Sequence, residues 1–420
     1  MKRILVFIST ILVCSSVYGK SNKMDNRNTI KKISPQNIPG YMKSLYTKHM
    51  TMGPYYMQSN APANMQDHFS VKSSASHQNP IVLNPDTLCF SGGGAKGIAY
   101  SGVLKYLVEA NKMENITRFV GTSAGSIAAG LFSLDWKGNY DRLESIISET
   151  DFSSFINKGQ MYKKTNVITL LDILAGNKGY FGGLARWIMG NACGIINAEK
   201  NHYGICSGDA ILDWFHSIFE EQGYDKFITF EELYQKTGNH LVLFSCCLTF
   251  RSTAVFDYIN TPDFPVTLAM RASMAIPFFF SPVHTNYGGI SAYFIDGGAA
   301  NNYPIWYFDD DPSSQTLGFI LSPESTFNPA EFTEYPTDNI CDVIGGFFSI
   351  VLNNQATVML QGNRYRSVFV DPGDIGTLSF SMNKEEKQQL IDTAYHATKE
   401  YFEGDRNHDY IEQYSESISF

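Results

Sequence analysis

From residue 85 onward, short apolar runs alternate with longer segments of helical periodicity. The run TLCF (87–90) predicts a buried strand, and GIAYSGVLKYLVEA (97–110) predicts a helix. The next apolar run, ITRFVG (116–121), predicts a second strand, and SAGSIAAGLFSL (123–134) predicts a second helix. Strand, helix, strand and helix at this spacing are typical of a parallel sheet covered by helices.

Three later segments extend this pattern. Segment 207–223 is amphipathic and ends at Gly223, so it predicts a helix, whereas the apolar run 240–250 predicts a central strand. Near the end, Asn383 and Glu386 have the spacing of a capping box before a helical segment. The pattern of this last helix predicts a buried stripe formed by Leu390, Ile391, Ala394 and Ala397.

Two segments have less regular patterns. Residues 20–84 are rich in Asn, Gln, Met, Ser and Pro, which predicts an N-terminal extension. Segment 167–190 is apolar but broken by glycines, and two interpretations stay open: a lid or interfacial element near a lipid site, or a helical hairpin that covers the core. We therefore divide the mature chain into a catalytic domain at 85–310 and a region at 311–420 that completes or covers it.

The first 19 residues have the order of a secretory signal peptide. Lys2 and Arg3 precede an apolar run that is too short for an ordinary membrane span, and small and polar residues follow through Gly19. We expect cleavage and export to a secreted or periplasmic location. Lipid attachment at Cys14 is disfavoured because bulky Val13 precedes it, and an uncleaved anchor is the other alternative.

Composition and charge narrow the class of partner. The chain has 420 residues, 44% of them hydrophobic, and a formal net charge of −9, which becomes −11 without Lys2 and Arg3. Such an acidic body argues against nucleic acid as the partner. Cys193 and Cys206 lie in loop-like sequence and would pair only if folding brings them together, whereas the other cysteines after 85 lie in apolar runs typical of a core.

Gly92, Gly94 and Gly97 match the dinucleotide-binding spacing G-x-G-x-x-G between a strand and a helix. That function requires an acidic residue at the end of the second strand, and the second strand here ends without one. A phosphate-binding Walker loop is excluded too, because Lys96 is followed by glycine and not by Ser or Thr.

The second strand runs instead into Gly121-Thr122-Ser123-Ala124-Gly125, a G-x-S-x-G motif at a strand-to-helix turn. Such a turn exposes the serine hydroxyl at a helix N-terminus, where developing negative charge is favoured. The adjacent glycine loop, Gly92 to Gly94, can then direct backbone N–H groups at the same point as an oxyanion hole. Lys96 either contacts a phosphate or lies on the helix surface.

A nucleophilic serine needs a base, and no histidine of this chain lies in a recognisable catalytic setting. Asp296 precedes Gly297 and Gly298 at a predicted strand end, so it can approach another loop closely and accept the serine proton. The alternative for this Asp-Gly-Gly sequence is a tight turn without a chemical role.

Four motifs in this order resemble the patatin-like phospholipases. They are the glycine loop at 92–97, the serine motif at 121–125, the Ala-Ser-Met-Ala-Ile-Pro block at 272–277, and Asp-Gly-Gly at 296–298. The resemblance implies a three-layer α/β/α fold around a mostly parallel sheet. It also implies a lipid acyl hydrolase with a Ser123–Asp296 dyad and an oxyanion hole at Gly92, Gly93 and Gly94, with block 272–277 supporting the site.

The same resemblance implies the partners. The expected substrate is a phospholipid or another lipid ester, reached by transient contact with a membrane surface, and no metal or organic cofactor is implied. Three alternatives remain: a triad-type esterase that uses His396 with Asp296, a lipid-binding protein of the same fold without activity, and, least favoured, a dinucleotide-dependent oxidoreductase.

Overall fold

The region 87–132 folds into the predicted strands and helices. Strands β1 (Thr87–Phe90) and β2 (Arg118–Thr122) are followed by helices α1 (Tyr100–Glu109) and α2 (Ala124–Phe132). A 3-10 helix at Gly94–Ala99 separates the glycine loop from α1, so the regular helix begins three residues later than the periodicity indicates.

The computed structural model describes residues 82–136, 138–157, 204–327, 340–373, 375–377 and 379–404. The signal peptide at 1–19, most of the extension at 20–84, and segment 167–190 lie outside the described residues and stay predictions. Cys193 lies outside them as well. Cys206 is buried at the end of a short strand, so it is not the loop residue that the sequence indicates.

The remaining elements follow in chain order. The strands are β3 (Gly204–Cys206), β4 (His240–Cys247), β5 (Ser252–Phe256), β6 (Phe278–Phe280), β7 (Val283–Tyr287), β8 (Ile290–Asp296), β9 (Thr316–Ile320) and β10 (Ser367–Phe369). The helices are α3 (Tyr140–Glu149), α4 (Ser154–Asn157), α5 (Asp209–Glu221), α6 (Phe230–Thr237), α7 (Val266–Ser273), α8 (Ile340–Leu360) and α9 (Lys384–Glu403).

The strands form one eight-stranded sheet and a separate parallel pair, β3 and β6. Along the large sheet the order is β10, β9, β1, β2, β4, β8 and β7, with β5 also paired to β4. The first five are mutually parallel, whereas β8 and β5 are antiparallel to β4, and β7 is antiparallel to β8. This confirms the predicted α/β class with a mostly parallel central sheet.

The register of three strands brings two distant residues to the same level. Thr122, the last residue of β2, lies opposite Phe244 of β4, so Ser123 follows at the level of Ser245. On the other side of β4, Ser245 lies opposite Asp296, the last residue of the antiparallel strand β8. Ser123 and Asp296 therefore flank one strand at one edge of the sheet.

The C-terminal helix α9 packs against α1. Its capping box is confirmed, because the Asn383 side chain accepts the Glu386 N–H and the Glu386 side chain accepts the Asn383 N–H. The buried stripe differs at one position, since Thr398 is buried where Ala397 is expected. Among the described residues, no helix has the length and apolar character needed to cross a membrane.

Candidate active site

The turn between β2 and α2 holds Ser123 in a conformation that is uncommon for a residue with a side chain. Its φ of 53° and ψ of −122° lie in the positive-φ region, which is sterically costly and is often found at functional sites. A Cβ at Gly121 would collide with the carbonyl oxygen of Gly125, and a Cβ at Gly125 would collide with that of Phe90. Both glycines of the G-x-S-x-G motif are thus required by close backbone packing.

The Ser123 hydroxyl donates a hydrogen bond to the Asp296 carboxylate. The Oγ to Oδ2 distance is 2.5 Å, and the two side chains are only 5% and 6% exposed. The other carboxylate oxygen, Oδ1, accepts the backbone N–H of Gly298 at 2.7 Å, so the turn that follows β8 fixes the orientation of the carboxylate. The structure brings together the serine and the aspartate that the sequence indicates.

The environment of Asp296 changes its acidity. Burial raises the pKa of this carboxyl from 3.8 to about 6, and the hydrogen bonds from Ser123 and Gly298 oppose part of that rise. A carboxylate with a pKa near 6 is a stronger base than an ordinary aspartate and is still mainly ionised at pH 7.

The block at 272–277 supports Ser123 and Asp296 through hydrogen bonds from their backbone N–H groups. The backbone N–H of Ser123 donates to Ser273 Oγ at 2.9 Å, and that hydroxyl donates to the carbonyl of Phe244 at 2.6 Å. The backbone N–H of Asp296 donates to the carbonyl of Ala275 at 2.9 Å. Ser273 belongs to the block that we expect from the sequence to support the site, but nothing in its local pattern identifies its two partners.

The glycine loop lies directly against Ser123. A Cβ at Gly92 would come within 3.0 Å of Ser123 Cβ and would collide with Asn302 Oδ1, while Gly94 has a φ of 60° beside the backbone of Thr377. The N–H of Gly92 donates to the carbonyl of Asn302 at 3.1 Å, so this donor is occupied. Gly93 caps the 3-10 helix, and N–H groups at the start of a helix have no partner within that helix.

A pocket in front of Ser123 is lined almost entirely by apolar side chains. These come from helices α2, α3 and α5 and from the residues around α4. The principal lining residues are Ile127, Leu131, Ile147, Phe155, Ile211 and Trp214. Such a lining suits a hydrocarbon chain, and the described residues that form it include no charged side chain.

Lys96 is not among the residues that line this pocket, although its neighbours Ala95 and Gly97 are. Burial lowers the pKa of the Lys96 amine, and the nearby Asp371 carboxylate opposes this shift. The Asp371 carboxylate, which follows β10, is therefore close enough to Lys96 to act on its amine.

The described histidines lie elsewhere. The hydrogen-bond partners found for Ser123 and Asp296 within the described part of the chain include no histidine. His396 is exposed on α9 and borders a separate acidic surface concavity together with Asp371 and Glu400.

Comparison with known proteins places the chain in a family. The family model for patatin-like phospholipases matches residues 88–309, which is more than half of the sequence, and the chain belongs to this family.

The chain is also similar to individual proteins. It is 24% identical over 317 residues to the uncharacterized protein YqhO of Bacillus subtilis, covering 74% of this chain and 95% of that one. It is 28% identical over 220 residues to a probable lipid hydrolase, 463L, of Invertebrate iridescent virus 6, covering 52% and 61%. Among solved structures it is similar to VipD from Legionella pneumophila, with a TM-score of 0.45, 14% identity, and coverage of 76% and 67%.

Proposed function

We propose that this protein is a serine lipid acyl hydrolase that works through a Ser123–Asp296 dyad and an acyl-enzyme intermediate. Membership of the patatin-like phospholipase family, and similarity to a probable lipid hydrolase, support lipid hydrolysis. The observation that carries the dyad is the 2.5 Å hydrogen bond from the strained Ser123 to the buried Asp296. A structural turn alone explains neither the strained backbone nor the buried carboxylate.

In the first half of the reaction, Ser123 Oγ attacks the ester carbonyl carbon while its proton passes to Asp296 Oδ2. The tetrahedral intermediate collapses as the carbon–oxygen bond to the leaving alcohol breaks. Asp296 returns the proton to that alcohol, and the acyl group stays on Ser123.

In the second half, Asp296 accepts a proton from water, and the resulting hydroxide attacks the acyl carbon. Collapse of this second intermediate releases the carboxylic acid and regenerates the Ser123 hydroxyl, which takes back the proton from Asp296. The raised pKa of Asp296 suits both directions of proton transfer, because the group must alternate between base and acid.

The negative charge on each tetrahedral intermediate requires hydrogen-bond donors. We assign this role to the backbone N–H groups of Gly93 and Gly94, with Gly92 supplying close approach and not a donor, since its own N–H is held by Asn302. Loss of one such donor typically costs about 10²–10³ in rate.

The pocket in front of Ser123 supports an acyl chain as the group transferred to the enzyme. Its apolar lining favours a fatty acyl group over a charged or sugar acyl donor. We infer a phospholipase A, lysophospholipase or lipid esterase activity, with the acyl chain in this pocket and the headgroup outside it.

The experiment is an assay of purified protein against phospholipids, lysophospholipids and neutral glycerides, with release of fatty acid as the readout. Ser123→Ala and Asp296→Asn should each lower hydrolysis by at least about 10²–10⁴-fold, because each removes a reacting group. Ser133→Ala is the matched control, because this buried serine directly follows the same helix and its hydroxyl donates to the Gly130 carbonyl. Full activity in either dyad variant would refute the proposal.

A further inference from the structure

One side chain of the apolar pocket comes from outside the segment that the family model matches. This is Phe380, which lies between β10 and α9, is only 9% exposed, and lines the pocket together with Ser123. The proposed function assigns the fatty acyl group to this pocket. A side chain in its wall would therefore contact the substrate.

The nearby residue Thr377 shows at which end of the pocket Phe380 lies. The carbonyl of Thr377 accepts the backbone N–H of Ala95 at 2.8 Å, and a Cβ at Gly94 would collide with the same carbonyl. Gly94 and Ala95 line the pocket and belong to the glycine loop, which lies against Ser123. The chain that carries Phe380 therefore passes the glycine loop at the serine end of the pocket.

Two other aromatic rings hold the ring of Phe380 in place. It stacks on Phe279, with ring centroids 5.6 Å apart and planes at 18°, and it meets Phe280 edge to face, with centroids 6.4 Å apart and planes at 77°. Both partners are buried in β6, and their backbone N–H groups donate to the carbonyl of Ile276, which also lines the pocket. Because such aromatic pairs favour a defined geometry, the Phe380 ring forms a rigid wall.

Few side chains determine the width of the pocket near Ser123. Four lining residues at this end have no side chain larger than a methyl group: Gly94, Ala95, Gly97 and Ala124. The larger side chains contributed there by the supporting block are Met274 and Ile276. Met274 is unbranched and can change rotamer, whereas Phe380 cannot turn aside without losing its stacking on Phe279. The Phe380 ring therefore limits the width beside the reacting carbonyl.

We propose that Phe380 is a specificity-determining residue that restricts the pocket to acyl groups without a branch next to the ester carbonyl. This inference rests on the proposed function and adds a substrate class to it, the esters of straight-chain fatty acids. A methyl branch at that carbon would meet the fixed ring, and a rigid, packed wall does not make room for it. Ile127 and Leu131 follow Ser123 at four-residue intervals and also line the pocket, so a straight chain can continue along α2.

The test compares two soluble esters with the same number of acyl carbons, p-nitrophenyl hexanoate and p-nitrophenyl 2-methylpentanoate. Each kcat/KM is divided by the rate of uncatalysed hydrolysis of the same ester. Wild-type protein should then favour the straight-chain ester by at least about tenfold, the scale on which a hydrophobic pocket discriminates one carbon group. Phe380→Ala should remove most of this preference by accelerating hydrolysis of the branched ester. Phe380→Leu, which keeps an apolar side chain in the aromatic contact, should give an intermediate ratio.

Phe264→Leu is the matched control. Phe264 is 8% exposed, packs against Phe256 with ring centroids 4.5 Å apart, and is not among the described residues that line the pocket. This variant loses an equally buried ring but should keep the wild-type ratio of the two esters. Thermal denaturation of all four proteins shows which variants are folded.

Three results would overturn the inference: equal hydrolysis of the two esters by the wild type, an unchanged ratio in the folded Phe380 variants, or the same change of ratio in the Phe264 variant. Each of them leaves the proposed hydrolase function in place, because the esters are still cleaved. Hydrolysis of neither ester by the wild type would also overturn the inference. It would overturn the proposed function as well if none of the lipids is hydrolysed either.

Discussion

The pKa values of two buried aspartates, Asp296 and Asp257, are shifted in opposite directions. Burial raises the pKa of Asp296 to about 6, and its few hydrogen bonds do not offset this. Burial also acts on Asp257, but hydrogen bonds from Tyr307 and the Asn260 backbone, together with the nearby His240 ring 3.8 Å away, outweigh it and lower the pKa of that carboxyl. Asp257 is stabilised as a carboxylate, whereas Asp296 is held as a carboxylate at a cost in stability.

This difference predicts the sign of two substitutions. The folded protein binds more protons at Asp296 than the unfolded chain between pH 3.8 and about 6, so its stability falls as pH rises through that window. At pH 7.5, Asp296→Asn should therefore raise the free energy of unfolding by about 1–3 kcal/mol, since one pKa unit corresponds to about 1.4 kcal/mol. This gain in the free energy of unfolding should be smaller at pH 4.5, where the wild-type Asp296 carboxyl is mainly protonated.

Asp257→Asn is the comparison, and it should lower the free energy of unfolding at pH 7.5, because a stabilised carboxylate with several donors is lost. Urea denaturation at the two pH values measures both effects. Destabilisation of the Asp296→Asn protein at pH 7.5 would show that the carboxylate is favoured in the fold, contrary to the raised pKa.

At the residue scale, the sequence predicts only part of the site. Ser123 and Asp296 stand in motifs with distinctive neighbours, and the structure brings them within hydrogen-bond distance. Block 272–277 was expected to support the site, but the partners of Ser273 could not be predicted, because they are backbone groups distant in the chain. The Gly92 N–H is occupied by Asn302 for the same reason, and only the folded loop shows it.

The elements around the site depend on close backbone contact between β1 and α2. Gly125, in the first turn of α2, abuts the carbonyl of Phe90 at the end of β1. Gly125→Ala should therefore push these two elements apart and lower the free energy of unfolding by several kcal/mol, as overpacking in a rigid core does.

Gly376→Ala is the matched control for that substitution. An added Cβ there would meet only the Ser379 hydroxyl, at 3.3 Å, and the backbone of Gly376 needs no positive φ. Its unfolding temperature should stay within a few degrees of the wild type. Equal stability of the two variants in thermal denaturation would show that β1 and α2 can separate without cost.

Local pattern predicted most of the elements that form the parallel core, because strands buried on both faces are continuous apolar runs and amphipathic helices have a period of about 3.6 residues. The antiparallel strands β5, β7 and β8 were not distinguished, since strand direction is fixed by pairing and not by composition. That direction matters for the site, because it belongs to the pairing in which Asp296, the last residue of β8, lies opposite Ser245 of β4.

At the scale of the whole molecule, the central sheet extends beyond the region where the motifs lie. Strand β9, at Thr316–Ile320, pairs directly with β1, and β10 pairs with β9 in turn. The segment matched by the family model, 88–309, therefore lacks two strands of the sheet that carries its own site. The sequence could place 311–420 only as a region that completes or covers the domain, because the pairing of β9 with β1 joins residues more than 200 positions apart.

The central claim is that Ser123 is activated by Asp296 and not by a histidine. Labelling with a fluorophosphonate probe, followed by peptide mapping, tests this claim most directly. We predict that the probe modifies Ser123, that Asp296→Asn slows labelling by at least about 10²-fold, and that His396→Ala labels at the wild-type rate. Labelling at another residue, or a loss of rate in the His396 variant with none in the Asp296 variant, would contradict the account.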